Sequence, residues 1–102
     1  MGDLLKVGED QVRQSYRFKV YGRVQGVFFR QSTREFALQN GIDGWVCNCD
    51  DATVEGQAQG APAALEALRL WLHRGPARAQ VVRVEWQATE QAQDGVGFEI
   101  RR

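Results

Sequence analysis

The sequence lacks a dominant charge: thirteen basic residues stand against thirteen acidic ones. Without a net positive field, non-specific nucleic-acid binding has no electrostatic basis. Also missing is any apolar run long enough for a spanning helix, and the opening MGDLLKVGED has no signal-peptide apolar block. No membrane association is expected, and the cytosol is the expected compartment. Histidine occurs once, as His73, and cysteine twice, as Cys47 and Cys49. That is too little for a disulfide framework; a redox switch or a metal site is conceivable, but a single histidine and no second cysteine pair give a metal site little support. The two thiols fall on one face of an extended strand, where bridging them would strain the backbone. Reduced, inert thiols with no metal site and no cofactor are the expectation.

What is present is an ordinary globular composition over 102 residues, enough for one domain with a modest core. Residues 1–14 are polar and aperiodic and read as a loose tail; residues 15–102 form the domain. From Ser15 to Gly22, Tyr16, Phe18 and Val20 alternate with Arg17, Lys19 and Tyr21, the period of a half-buried strand. A turn with Gly22 and Gly26 leads into a helix over Phe28 to Asn40, where Phe29, Thr33, Phe36, Ala37 and Asn40 recur at helical spacing and Asn40-Gly41 is a stop signal.

A second strand is predicted from Ile42 to Cys49, a tight turn at Asp50-Asp51-Ala52, and a third strand from Thr53 to Gln59 with Val54, Gly56 and Ala58 on one face. Pro62 suits the first turn of a second helix, whose stripe is Leu65, Leu68, Trp71 and Leu72 and which Gly75-Pro76 ends. The fourth strand, Ala79 to Gln87, sets Val82, Val84 and Trp86 against Arg83, Glu85 and Gln87; after a polar loop, Val96, Phe98 and Ile100 form a last short strand. One wet face per strand places both helices on the same side of one sheet. The expected class is α+β: a ferredoxin-like βαββαβ sandwich, mostly antiparallel. Such a fold hosts many functions, so the function must come from a site.

The segment Gly22-Arg-Val-Gln-Gly-Val-Phe-Phe-Arg30 stands out. Glycines between strand and helix let backbone N–H groups converge. With the unsatisfied N–H groups of the helix start, they make a cradle for an anion. Arg30, in the first helical turn, can fold its guanidinium toward the same point, and a cationic fork beside several N–H donors suits a phosphate. Such glycines often serve only the turn, so this reading stands beside a purely structural one. The segment is neither a dinucleotide fingerprint nor a Walker loop.

This segment resembles the signature loop of the acylphosphatase family, G-R-V-Q-G-V-x-F-R. Gly41-Ile-Asp-Gly-Trp-Val-Cys-Asn48 resembles that family's second signature, G-x-x-G-W-V-x-N, and continues into a hairpin similar to the family's. The similarity runs from about Tyr16 to Arg101. It implies hydrolysis of the carboxyl–phosphate bond of acyl phosphates to a carboxylate and inorganic phosphate. It further implies that the phosphoryl group sits on the backbone N–H groups of Gln25, Gly26, Val27, Phe28, Phe29 and Arg30 and pairs with Arg30. Asn48 would position the attacking water; by residue type alone, an Asn before Asp50-Asp51 reads as strand-end turn chemistry. A carboxylate leaves readily, so no general acid is needed, and His73 is expected at a helix end or surface, outside the chemistry. The chain departs from the family in carrying Cys49 just after Asn48.

The alternative is a non-catalytic anion-binding or interaction module of the same fold, since similar modules occur within larger maturation proteins. The short distance from the last strand to the chain end favours a stand-alone enzyme, and the lack of an evident extra apolar face makes a monomer the expectation. An RNA-binding sheet would need aromatics on its open face, and the third strand has none; Trp45 is expected on the open face or an edge, in a structural role. The identity of the acyl group is not legible.

Overall fold

The computed structural model describes residues 13–91 and 95–102. Most of the expected tail, and part of the polar loop before the last strand, therefore lie outside the described residues. The elements are β1 (Gln14–Arg23), α1 (Phe29–Gln39), β2 (Asp43–Asn48), β3 (Val54–Gly60), α2 (Pro62–Leu72), β4 (Gln80–Ala88) and β5 (Phe98–Arg101). They form one five-stranded sheet in the order β4-β1-β3-β2-β5, antiparallel except for the β2–β5 pair. This is the ferredoxin-like arrangement with a fifth strand added at the β2 edge.

Alternation decides the layers. Phe18 and Val20 from β1, Val46 from β2 and Val54 and Ala58 from β3 all point to one face and are buried there. Against them pack Phe29, Thr33 and Ala37 of α1 and Leu65, Leu68 and Leu72 of α2. Each fully buried Leu or Phe is worth roughly 1.5–3 kcal/mol of removed apolar surface. Trp71 locks the helices together, its ring centroid 5.4 Å from Phe36 and 5.7 Å from Phe29. Both helix stops lie where expected: Ile42 N–H donates to the Ala37 carbonyl at 2.9 Å behind Asn40-Gly41, and Gly75 N–H donates to the Trp71 carbonyl at 2.8 Å. Pro62 opens α2, and Glu66 and Arg69 pair on its outer face.

Three expectations need correction. β1 begins at Gln14, which pairs with Gly60, and the Arg13 guanidinium lies 2.7 Å from the Asp43 carboxylate. The first strand thus starts before Ser15. In β4, Val82 is 78% exposed and Val81 takes the inward position. The cause is a bulge: Tyr21 pairs with Arg83 but Gly22 pairs with Val81, so Val82 has no partner and the side-chain parity flips. Gly22 is required there, since its φ is 127° and a Cβ would lie 2.1 Å from the Gln80 carbonyl oxygen. Finally, of the last strand's apolar trio only Phe98 enters the core; Val96 precedes β5 and is exposed, and Ile100, on the same face as Phe98, stays 42% exposed and lines the pocket described next.

Candidate active site

The loop between β1 and α1 turns on two left-handed residues, Gly26 (φ 74°) and Phe28 (φ 63°). Glycine adopts that conformation without penalty, whereas for a Cβ-bearing residue it costs about 1–2 kcal/mol. Strain of this kind gathers at ligand clamps and active sites. Here it places Phe28 at the N-cap of α1, where no side chain caps the helix and no acidic residue occupies the first turn. The first N–H groups of α1 are left for an external acceptor, at the end where the helix dipole favours negative charge.

A pocket of about 310 Å³ opens at this point, lined by Val24, Gly26, Phe28, Phe29, Arg30, Gln31, Asn48 and Ile100. It brings together residues from the loop, the first turn of α1, the end of β2 and β5. Arg30 is half-buried in that first turn. Asn48 ends β2 opposite Val54, and its Oδ1 is buried without a hydrogen-bond partner among the described residues. A buried acceptor left unpaired costs about 1–3 kcal/mol, so native structures retain such an atom where it serves a water or a ligand. A larger groove of about 620 Å³ lies between the helices along Phe36, Trp71 and Arg74; it contains none of the loop residues or Asn48.

Two of the residues named from the sequence do not line this pocket. Val27 is buried in the core. Gln25 sends its side chain the other way, where Nε2 donates to the carbonyls of Cys49 and Thr53, each at 2.8 Å. These two bonds tie the loop to the β2–β3 hairpin beside Asn48. That role is invisible along the chain, because donor and acceptors are 24 and 28 residues apart. Ile100 was also missed as a pocket residue, having the pattern of a core strand position.

The hairpin is itself braced. Cys49 N–H donates to the Thr53 carbonyl at 2.9 Å, and Ala52 N–H to the Cys49 carbonyl at 3.2 Å. Asp51 accepts from the Thr53 hydroxyl and backbone N–H and lies 3.0 Å from the Lys19 ammonium. The Thr53 hydroxyl first, then Lys19, holds the Asp51 carboxyl at about 2. His73 is exposed at the end of α2, outside the pocket lining. Trp45 lies on the open face between the guanidiniums of Arg17 (5.6 Å) and Arg101 (4.8 Å).

Comparison with known proteins agrees with this geometry. The acylphosphatase family model matches residues 16–100. An acylphosphatase of Rubrobacter xylanophilus is 45% identical over 98 residues, covering 94% of this chain and 89% of the relative. One from Pseudomonas paraeruginosa is 51% identical over 83 residues, covering 81% and 90%. The solved acylphosphatase of Coxiella burnetii superimposes with a TM-score of 0.85 at 34% identity, over 91% of this chain and 97% of that one. With both motifs, the fold and near full-length relatives in agreement, the chain belongs to the acylphosphatase family.

Proposed function

We propose that this protein hydrolyses acyl phosphates, with the phosphoryl group held by the N–H groups of Gln25 to Arg30 and by the Arg30 guanidinium, and with water oriented by Asn48. The observation that carries the reading is the convergence of three groups on one pocket: an uncapped helix start, Arg30 and the unpartnered Asn48 Oδ1. The first two suit a dianionic phosphoryl group. The third suits a neutral nucleophile: Oδ1 accepts one O–H of a water and turns a lone pair toward phosphorus.

The attacking water forms a P–O bond as the bond to the acyl oxygen breaks, and its second proton passes to a phosphoryl oxygen, so the products are the carboxylate and dihydrogen phosphate. The leaving group departs as a carboxylate, which is already the stable form above about pH 5, so no protonated side chain is required. Charge on the equatorial oxygens in the transition state falls on donors that are in place beforehand, which is where preorganisation contributes most. Turnover is metal-independent in this scheme, and the protein acts as a cytosolic monomer. Among the described residues no helix is long and apolar enough to cross a membrane.

Hydrolysis of an aromatic acyl phosphate by wild type, Arg30→Ala and Asn48→Ala tests the scheme. Removing a single preorganised donor costs about 10²–10³ in kcat in comparable sites. Arg30→Ala should lose both phosphate affinity and turnover. Asn48→Ala should lose turnover while inorganic phosphate still binds. A wild type that binds phosphate and does not turn over would instead make the loop a non-catalytic anion site.

A further inference from the structure

The face of the sheet opposite the helices carries a cluster that the hydrolase reading does not use. Cys47 pairs directly with Glu55 across β2–β3, and Cys49 follows two residues on, so all three side chains leave the same face. The ligand atoms of Cys47, Cys49 and Glu55 lie within 4.8 Å of one another, and each residue is half-buried. Counting cysteine and histidine along the chain predicts inert thiols. The third ligand is supplied by the hairpin, which folds Glu55 back over Cys47.

We propose that Cys47, Cys49 and Glu55 form a binding site for a thiophilic divalent cation of the Zn²⁺ class, with the fourth position open to water. Two thiolates and a carboxylate are a normal donor set for tetrahedral zinc. At Zn–S of about 2.3 Å and Zn–O of about 2.0–2.2 Å, such donors stand roughly 3.6–3.8 Å apart. The cluster therefore needs to close by only about an ångström, within reach of side-chain rotation. The backbone beneath it is fixed by the β2–β3 ladder and by the Cys49–Thr53 bond.

The surrounding charges permit this. Lys19, which faces Glu55 from β1, is engaged by Asp51 at 3.0 Å. Arg101, which faces Cys47 from β5, bonds Glu99 at 2.7 Å and stacks on Trp45. Cysteine binds a divalent cation as the thiolate, so affinity should rise with pH. Alternation puts Asn48 on the other face, so the ion clamps the strand on either side of Asn48 without entering the pocket.

The site is independent of the hydrolase reading, and its test does not depend on activity. Reduced full-length protein is titrated with Co²⁺ and then Zn²⁺ while absorbance is followed. Expected are tetrahedral Co²⁺ bands with a thiolate charge-transfer band, saturating at one ion per chain and displaced by Zn²⁺, and a higher Tm with Zn²⁺. These are the chain's only two cysteines, so that band can arise nowhere else. Cys47→Ser/Cys49→Ser, confirmed as folded by circular dichroism, should lose the band and the Zn²⁺ stabilisation. Glu55→Gln should keep the band with affinity down at least about 10-fold, in line with loss of a charged zinc ligand. Absence of the band in the wild type, saturation at half an ion per chain, equal Zn²⁺ affinity in the double variant, or an unchanged Glu55→Gln would each overturn the site.

Discussion

Phe28 and Ala52 are the non-glycine residues held at positive φ among the described residues, at 63° and 72°, and both border the elements that make the pocket. Their strain has different consequences. At Phe28 it sets the uncapped N-terminus of α1, and the ring is left 70% exposed beside the pocket. At Ala52 it only closes the turn between β2 and β3, in the left-handed position that a three-residue hairpin loop usually fills with glycine. Ala52→Gly removes about 1–2 kcal/mol of strain and adds about 0.5–1 kcal/mol of backbone entropy to the unfolded chain. A net gain of roughly 0.5–1 kcal/mol is expected in urea unfolding, with turnover unchanged because Ala52 touches nothing in the pocket. A loss of stability would mean that the Ala52 methyl makes packing worth more than the strain.

At the scale of elements, the active pocket depends on a joint between loop and hairpin. Gln25 bridges the carbonyls of Cys49 and Thr53, so the segment proposed to hold phosphate is fastened to the strand end that carries Asn48. Both carbonyls also accept backbone N–H groups, so Gln25→Leu leaves neither of them orphaned. The expected cost is about 1–2 kcal/mol for two hydrogen bonds. In kinetics, kcat should fall by about 10-fold, because a shift near 1 Å in relative position is enough for that, while inorganic phosphate affinity changes little. A variant that loses stability with wild-type kcat would reduce Gln25 to a structural tie.

The same hairpin carries a pH signature. The folded Asp51 carboxyl lies at about 2 against an ordinary 3.8, so it contributes stability above about pH 4 that is lost as pH falls from there toward 2. Asp51→Asn should flatten that portion of the acid unfolding curve and leave the neutral-pH activity intact; acid unfolding identical to wild type would remove Asp51 from that role.

Legibility followed the range of the interactions. Both motifs, the helix stops and the alternation of β1 and β3 are local, and each could be read from neighbouring residues. The inward turn of Val81 could not, because a bulge is a property of a pair of strands and Val82 fits the alternating pattern better. Gln25 as a tie and Ile100 at the pocket escaped for the same reason: each owes its position to a segment far along the chain; Glu55 is nearer, but only the register of the hairpin sets it opposite Cys47. Cys47 and Cys49 were assigned correctly to one face, and only the ladder reveals what stands opposite them.

At the scale of the whole molecule, the sheet order explains why the site can be built at all. β1 and β2 are separated by β3, so the loop leaving β1 must cross the hairpin end of β3 to meet Asn48, and Gln25 is the residue that makes the crossing. In the proposed scheme the anion is held by N–H groups and one guanidinium acting at short range, set in a chain with equal numbers of acidic and basic residues. Long-range steering should be weak in such a molecule. Raising NaCl from low levels to about 0.5 M shortens the screening length to under about 5 Å, which removes distant fields and spares contacts. Accordingly kcat/KM should change by less than about 3-fold across that range. Sulfate, a tetrahedral dianion matched to the same N–H donors, should instead raise KM at constant kcat even when ionic strength is held fixed. A steep fall with NaCl alone would mean that the charge of Arg30 acts well beyond contact and draws the substrate in, and that neutrality of the whole chain conceals a charged approach to the pocket.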